Sequence, residues 1–354
     1  DHWGGKHHLG ETSRVLDEIG SMFRSGASFS IYMFHGGTSF GFGSGANCHD
    51  AYAPQTTSYD YDAPLDEAGR TTPKFLALRE ILGAGNPDLP PIPGHHPIIE
   101  IPEIQLTESV SLFDTMSTPT RSAMPLSMEA LGQQNGCVLY RTQIPPYSKG
   151  KLIIDELHDY GQVFINGQRI GTLDRRLKEN SLLIDPQDSD DLLTLDILVE
   201  AMGRVNYGPN ILDRKGITQR VILEDVYTVS LMGWEIFSLP LDEDHLASLN
   251  FGSAEVSGPA FHRGTFTLGE TGDTFLDMSH WNKGFVWVNG YNLGRFWEVG
   301  PQQTLYIPGV WLREGENEIV VFDLESSGRE SLQALSEPIL DQLLTPETAS
   351  ARAS

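Results

Sequence analysis

Apolar residues recur at helical spacing between Thr12 and Phe23, with Val15, Ile19 and Met22 on one line and Leu16 and Phe23 beside it. This predicts an amphipathic helix, capped at its start by Thr12 or Ser13 and followed by Gly26 in the left-handed position that ends helices. Phe29-Ser30-Ile31-Tyr32-Met33-Phe34 is a short, nearly continuous apolar run, the pattern of a buried parallel strand. From His35 to Thr71 the chain is rich in Gly, Asn, Tyr and Asp and has no helical period. Thr72-Pro73 then opens a second helix, with Thr as cap and Pro in the first turn, running through Phe75, Leu78 and Leu82 to Gly83. Helix, buried strand, long loop, helix is the order of an α/β barrel, in which the loop after a strand lies on the face that carries sites. A loop of that length inside a compact domain is uncommon without a role, so it is the first place to look for chemistry.

Pro87, Pro90, Pro91, Pro93 and Pro97 form a stiff connector, and beyond it short alternating runs separated by Gly, Asn, Asp and Pro read as all-β structure. That region contains a repeat. Gly161-Gln162-Val163-Phe164-Ile165-Asn166-Gly167-Gln168-Arg169-Ile170-Gly171 matches Gly284-Phe285-Val286-Trp287-Val288-Asn289-Gly290-Tyr291-Asn292-Leu293-Gly294. Each copy reads strand, Asn-Gly turn, strand, because Asn-Gly supplies the two positive φ angles of a tight type I′ hairpin. A second strand-like run follows each copy, Leu192–Val199 and Asn317–Phe322. The spacing of the copies is that of a sandwich domain, which predicts two related jelly-roll-like sandwiches. The small, polar residues from Thr345 onward are expected to fray.

The 354-residue chain carries 24 basic and 48 acidic residues, a formal charge of −24, which argues against nucleic acid or an anionic membrane as partner because phosphates would be repelled. A neutral ligand such as a sugar is compatible with it. No stretch approaches the ~20 apolar residues of a membrane span. Cys48 and Cys137 lie far apart in differently patterned regions and define neither a disulfide framework nor a metal site, so the compartment stays open.

The long loop holds two misleading patterns. Gly37-Thr38-Ser39-Phe40-Gly41 fits a nucleophile elbow, with His35-Gly36-Gly37 resembling an oxyanion-hole sequence, but an elbow turns directly into a helix and none is patterned here. Gly41-Phe42-Gly43-Ser44-Gly45-Ala46 imitates a dinucleotide fingerprint and lacks the same helix. His2, His7, His8, His35 and His49 follow no metal-ligand spacing and are read as ordinary loop histidines. Trp281, Trp287, Tyr291, Phe296, Trp297 and Trp311 could offer a stacking surface, and core packing is the favoured reading. Ser58-Tyr59-Asp60-Tyr61-Asp62-Ala63-Pro64-Leu65 is the better candidate, since Tyr and Asp combine apolar rings with hydroxyl and carboxylate hydrogen bonding, which suits a polyol. If extended, Tyr59 and Tyr61 point to one side and Asp60 and Asp62 to the other. The two aspartates are expected to bond loop amides and cap turns rather than to act as a carboxylate pair.

Tyr32-Met33-Phe34-His35-Gly36-Gly37-Thr38-Ser39-Phe40-Gly41 and Thr57-Ser58-Tyr59-Asp60-Tyr61-Asp62-Ala63-Pro64-Leu65 closely resemble the family-35 glycoside hydrolases, the β-galactosidases. The resemblance continues through Gly258–Phe266 and Gly284–Trp297 and covers the chain to about residue 325. It implies a catalytic (β/α)8 barrel followed by two jelly-roll, galactose-binding-like β-sandwich domains, in a metal-independent retaining enzyme that needs no cofactor. The expected division is the last part of the barrel over 1–86, a Pro-rich linker over 87–99, a first sandwich over 100–228, a second over 229–330 and a tail over 331–354. The resemblance also implies a substrate, a β-galactoside oligosaccharide or glycoconjugate with a terminal β-D-galactose. Substrate contacts carry over to Tyr61, Tyr59 and Tyr32, and pocket support to Trp3. No catalytic carboxylate of the family falls on this chain. It opens on Asp1-His2-Trp3-Gly4-Gly5, just after the position of the family's nucleophile, with the acid/base further upstream, so the chain alone is expected to be inactive. The other reading that stands is a non-catalytic carbohydrate-binding or scaffolding module. Oligomeric state, compartment and linkage preference are left open.

Overall fold

The computed structural model describes residues 1–84, 86, 88–185, 191–253 and 256–345. The chain divides into two compact units, one of Asp1–Gly43, Thr56–Glu108 and Phe261–Ser354, the other of Ser44–Gln55 and Ser109–Ala260. Strands dominate both.

The first unit contains the two helices. Thr12–Arg24 is helical as the periodicity predicts, but its cap is Glu11, which makes no side-chain capping bond, so neither Thr12 nor Ser13 fills that role. Gly26 does take a positive φ of 72° just beyond the end. Pro73–Gly83 forms the second helix, and the Thr72 side chain accepts from the Phe75 amide. The two helices pack together, with Gly20 of the first facing Ile81 of the second.

Phe29–Phe34 does not form the expected buried strand. No ladder includes it, Tyr32 is 81% exposed, and the nearest pairing is an isolated parallel bridge between His35 and Leu65. An apolar run becomes a strand only where a neighbour accepts its ladder bonds, and among the described residues the neighbour found beside it is Leu65. Phe34 instead packs edge-on to Phe75 of the second helix, ring centroids 5.9 Å apart.

The β part of this unit is an eight-stranded sheet, in the order 291–297, 283–288, 315–323, 260–268, 101–111, 331–335, 274–277, 304–307. Both halves of that order feed one core, Val286, Val288, Leu293 and Val321 from one half and Ile104, Leu276, Ile307 and Leu332 from the other. Strand Ser331–Leu335 lies inside the sheet, between 101–111 and 274–277, within the stretch that the expected division gives to the tail. Residues 346–354 of that tail, Pro87 of the connector and residues 186–190 lie outside the described residues.

In the second unit a six-stranded sheet (120–122, 234–239, 137–144, 193–200, 160–165, 168–174) and a four-stranded sheet (181–184, 150–154, 221–224, 228–230) share a core. Val138, Tyr140, Val163, Ile197 and Trp234 from the former meet Leu152, Ile154, Ile184 and Val221 from the latter, which is sandwich packing. Part of the long loop also belongs here. Gly45–Cys48 and Tyr52–Pro54 pair antiparallel, and the first of them pairs parallel with Arg204–Tyr207.

The two Asn-Gly turns are built alike. Asn166 and Gly167 have φ of 50° and 79°, Asn289 and Gly290 of 49° and 84°, the type I′ pattern. Both hairpins then bulge at the same place, between Val163 and Phe164 in one and between Val286 and Trp287 in the other. The aromatics of the second copy divide. Trp281, Trp287, Phe296 and Trp297 are buried, whereas Tyr291 is half-exposed and stacks on Trp311 at 4.7 Å with ring planes 8° apart.

Candidate functional site

Three short segments of the first unit lie side by side. Gly36 N and Leu65 N bond Leu65 O and Phe34 O at 2.8 and 2.9 Å, and on the opposite edge Ser39 N and Tyr59 N bond Thr57 O and Gly37 O at 2.8 and 3.0 Å. Gly36 is required by this packing, because a Cβ there would come within 2.6 Å of the Asp60 side chain. Gly37 and Gly41 instead take positive φ of 75° and 63°, so the glycines that imitate hydrolase and nucleotide motifs serve close approach at some positions and backbone conformation at others.

This arrangement brings Tyr32, Tyr59 and Tyr61 to one cleft of about 170 Å3, which is also lined by Val15, Ile31, Met33 and Leu78. The Tyr32 and Tyr59 hydroxyls are 3.4 Å apart, and the Tyr59 and Tyr61 rings meet edge to face at 5.3 Å. The hydrogen bond with Tyr59 pushes the Tyr32 phenol above its usual value, so this hydroxyl stays protonated at neutral pH. An apolar wall with converging hydroxyls is the surface that a sugar ring with one apolar face requires.

The aspartates are committed to the loop. Asp62 Oδ2 accepts from Gly10 N at 2.7 Å and pairs with Lys74 Nζ at 2.5 Å, and Lys74 also donates to Asp62 O at 2.6 Å. Asp60 Oδ1 accepts from Ala63 N at 3.4 Å, and burial raises its pKa. Neither is disposed as one half of a catalytic carboxylate pair.

Trp3 lies elsewhere in the unit and does not line the cleft. It is buried against Trp297, ring centroids 6.4 Å apart, and the Lys283 ammonium sits 3.3 Å from the Trp297 ring centre. Gly4 N bonds Gly300 O at 2.7 Å and Thr56 N bonds Asp1 O at 3.2 Å, which anchor these first residues. The Asp1 carboxylate accepts from both imidazoles of His7 and His8, each at 2.7 Å. His35 Nε2 bonds Glu67 O at 3.1 Å and His49 stacks edge-on to Tyr207. His7, His8, His35 and His49 thus each have a structural partner.

Sequence reasoning passed over Glu67. It is 4% exposed, accepts the Thr38 hydroxyl at 2.7 Å, and burial pushes its pKa up to about 8. Its neighbours in sequence, Asp66, Ala68 and Gly69, mark an ordinary exposed turn and give no sign of an inward carboxyl.

Three family models match the chain in succession. Glycosyl hydrolases family 35 matches residues 1–84, the first all-β domain of β-galactosidase matches 125–240, and the β-galactosidase galactose-binding domain matches 259–317. A β-galactosidase of Xanthomonas manihotis is 43% identical over 313 residues, covering 87% of this chain and 51% of that protein. Human β-galactosidase-1-like protein 2 is 38% identical over 360 residues, covering 96% of this chain and 54% of that protein, and the Bos taurus β-galactosidase is 36% identical over 358. The chain spans about half the length of these relatives.

Proposed function

Because the chain belongs to glycosyl hydrolase family 35, we propose that it forms the C-terminal part of a retaining β-galactosidase and holds terminal β-D-galactose in the tyrosine cleft. The convergence of Tyr32, Tyr59 and Tyr61 on one small cleft supports this reading most directly. Tyr61 offers its hydroxyl to the sugar, Tyr59 shares that wall, and Tyr32 stands ready to hold the nucleophile carboxylate by hydrogen bonding. Trp3, wedged on Trp297, steadies the segment that leads into the site.

Retaining hydrolysis needs two carboxyl groups about 5–5.5 Å apart, one as acid/base and one as nucleophile. Asp60 and Asp62 are engaged with loop amides and Lys74, so in this proposal both carboxylates come from residues outside this chain. The 354 residues alone then bind galactosides and do not cleave them.

The proposed architecture is the last part of a catalytic barrel over 1–86, a linker over 87–99, and two jelly-roll sandwiches, the first running past the expected boundary at 228 because it takes in Thr228–Ser230 and Trp234–Leu239, the second built around the strands from Ala260 onward. The second of these takes in the strand Ser331–Leu335 and, through the sheet order, the strand Ile101–Ser111.

Calorimetric titration of the chain with galactose and lactose, beside Tyr59→Phe and Tyr61→Phe variants, tests the assignment. Weaker binding in both variants is expected. Binding untouched by either substitution would remove the cleft from the account.

A further inference from the structure

The turn at Asp66–Gly69 sends the Glu67 side chain inward, where Oε1 takes the Thr38 hydroxyl and Oε2 is buried. The Ser58 hydroxyl lies alongside the carboxyl. Thr38 and Ser58 face each other as an antiparallel bridge, and Tyr59 follows directly after Ser58. Glu67 therefore braces, from beneath, the two segments whose pairing aims Tyr59 at the cleft. Its main-chain oxygen, bonded to His35, ties the turn to the same segments.

The charged and titratable groups around this carboxyl come from several elements. Asp60 and Asp66 repel an anion there, and Tyr306, from strand Thr304–Ile307, stands close enough for the Glu67 charge to raise its own phenol. Behind Tyr306 is Asp273, which is hydrogen-bonded to it. Arg70, three residues along the chain from Glu67, is committed to Asp66 at 2.6 Å and to Glu337 at 2.7 and 2.9 Å. His35 reaches the main-chain oxygen and not the carboxyl. A buried carboxylate with acidic neighbours and no counter-charge is expelled toward its neutral form.

We propose that Glu67, as the neutral acid, is the positioning residue of the tyrosine cleft, and that its ionisation releases Tyr59 and weakens sugar binding there. The effect on sugar rests on the galactose reading above; the effect on Tyr59 does not. Burial sets the midpoint at about 8, within reach of ordinary solution conditions.

The test follows ring-13C tyrosine resonances of the 354-residue chain from about pH 6 to about pH 9, with Tyr59 assigned through Tyr59→Phe. In the unsubstituted chain Tyr59 should move with a midpoint of about 8, and in the isosteric Glu67→Gln variant it should stay flat. Thr38→Val, which removes a bond that stabilises the anion, should raise the midpoint while keeping the response. Galactose affinity measured on the same samples should fall about fivefold across that range in the unsubstituted chain and not in Glu67→Gln. A Tyr59 signal that is flat in the unsubstituted chain, or one that titrates identically in Glu67→Gln, would overturn the proposal. A Tyr59 titration that disappears in Glu67→Gln, in a chain that binds no galactose at any pH, would uphold the positioning role and overturn the galactose assignment.

Discussion

Asn289 and Glu318 exchange two hydrogen bonds: Asn289 N donates to Glu318 O at 2.9 Å, and Glu318 N donates to Asn289 Oδ1 at 3.0 Å. Asn166 and Thr194 do the same in the other unit, at 2.9 and 2.8 Å. In both places a type I′ turn residue is tied to the strand beside its hairpin, so the repeat visible in sequence extends to side-chain bonding. Asn289 goes further and donates Nδ2 to Trp311 O and Asn317 Oδ1, each at 2.8 Å.

Asn289→Ala should therefore cost about 2–4 kcal/mol, combining lost hydrogen bonds with an L-residue held at positive φ. Asn166→Ala, at an exposed turn with fewer bonds, should cost about 1–2 kcal/mol. Urea unfolding of the two variants decides this. Equal costs would mean that the Trp311 and Asn317 contacts contribute nothing.

Lys215 is fully buried, with Nζ 2.7 Å from Asp159 Oδ2, 2.7 Å from Asp213 Oδ2 and 2.9 Å from Gly203 O. Arg175 bridges the same carboxylates at 2.6 and 2.8 Å. Burial alone would raise the Asp159 carboxyl, but the Lys215 and Arg175 charges outweigh it and hold the pKa low. Lys215→Met strands carboxylate charge in the interior and should destabilise the chain by about 3–5 kcal/mol. Adding Asp213→Asn to Lys215→Met should recover part of the loss in the same denaturation assay, and no recovery would argue against charge balance as the cause.

Tyr59→Phe and Tyr61→Phe each remove one hydroxyl from the cleft while leaving its rings. Each should weaken galactose binding by about 0.5–1.5 kcal/mol, the worth of one hydrogen bond to a neutral partner. Calorimetry measures the difference, and a gain in affinity in either variant would contradict the assigned contacts.

Glu67 and Asp323 are both raised by burial, to about 8 and about 6 from ordinary values of 4.5 and 3.8. An acid raised in the folded state contributes stability in full below its unfolded pKa and loses it as pH climbs through the folded one. Stability should therefore decline between about pH 4 and about pH 8, by at most about 1.4 kcal/mol per pH unit for each titrating group. Glu67→Gln should flatten the upper half of this fall when thermal unfolding is followed against pH. A rise in stability across that window would contradict it.

Elements with local signals were legible in sequence. Thr72-Pro73 carries its own cap and first turn, and Asn166-Gly167 and Asn289-Gly290 carry their own turn geometry, so each could be placed without knowing its neighbours. The run Phe29–Phe34 looked like a strand because apolar content is local, whereas a ladder partner is not. Gly45–Cys48 and Tyr52–Pro54 were hidden for the converse reason, since the first pairs with a strand far along the chain at 204–207, the second pairs only through the first, and the composition of both is that of a loop. Tyr59 and Tyr61 stood out through Tyr and Asp chemistry as well as family resemblance, whereas Tyr32 was pointed to by the resemblance alone. Glu67 was missed because only the fold turns it inward.

The most direct test of the account is hydrolysis of a chromogenic β-galactoside by the 354-residue chain, beside a version extended at Asp1 by the preceding part of a relative's glycosidase domain. The account predicts turnover, with retained anomeric configuration, in the extended protein and none in the chain alone. Cleavage by the chain alone would place the chemistry among these residues and contradict the proposal that both carboxylates come from outside it.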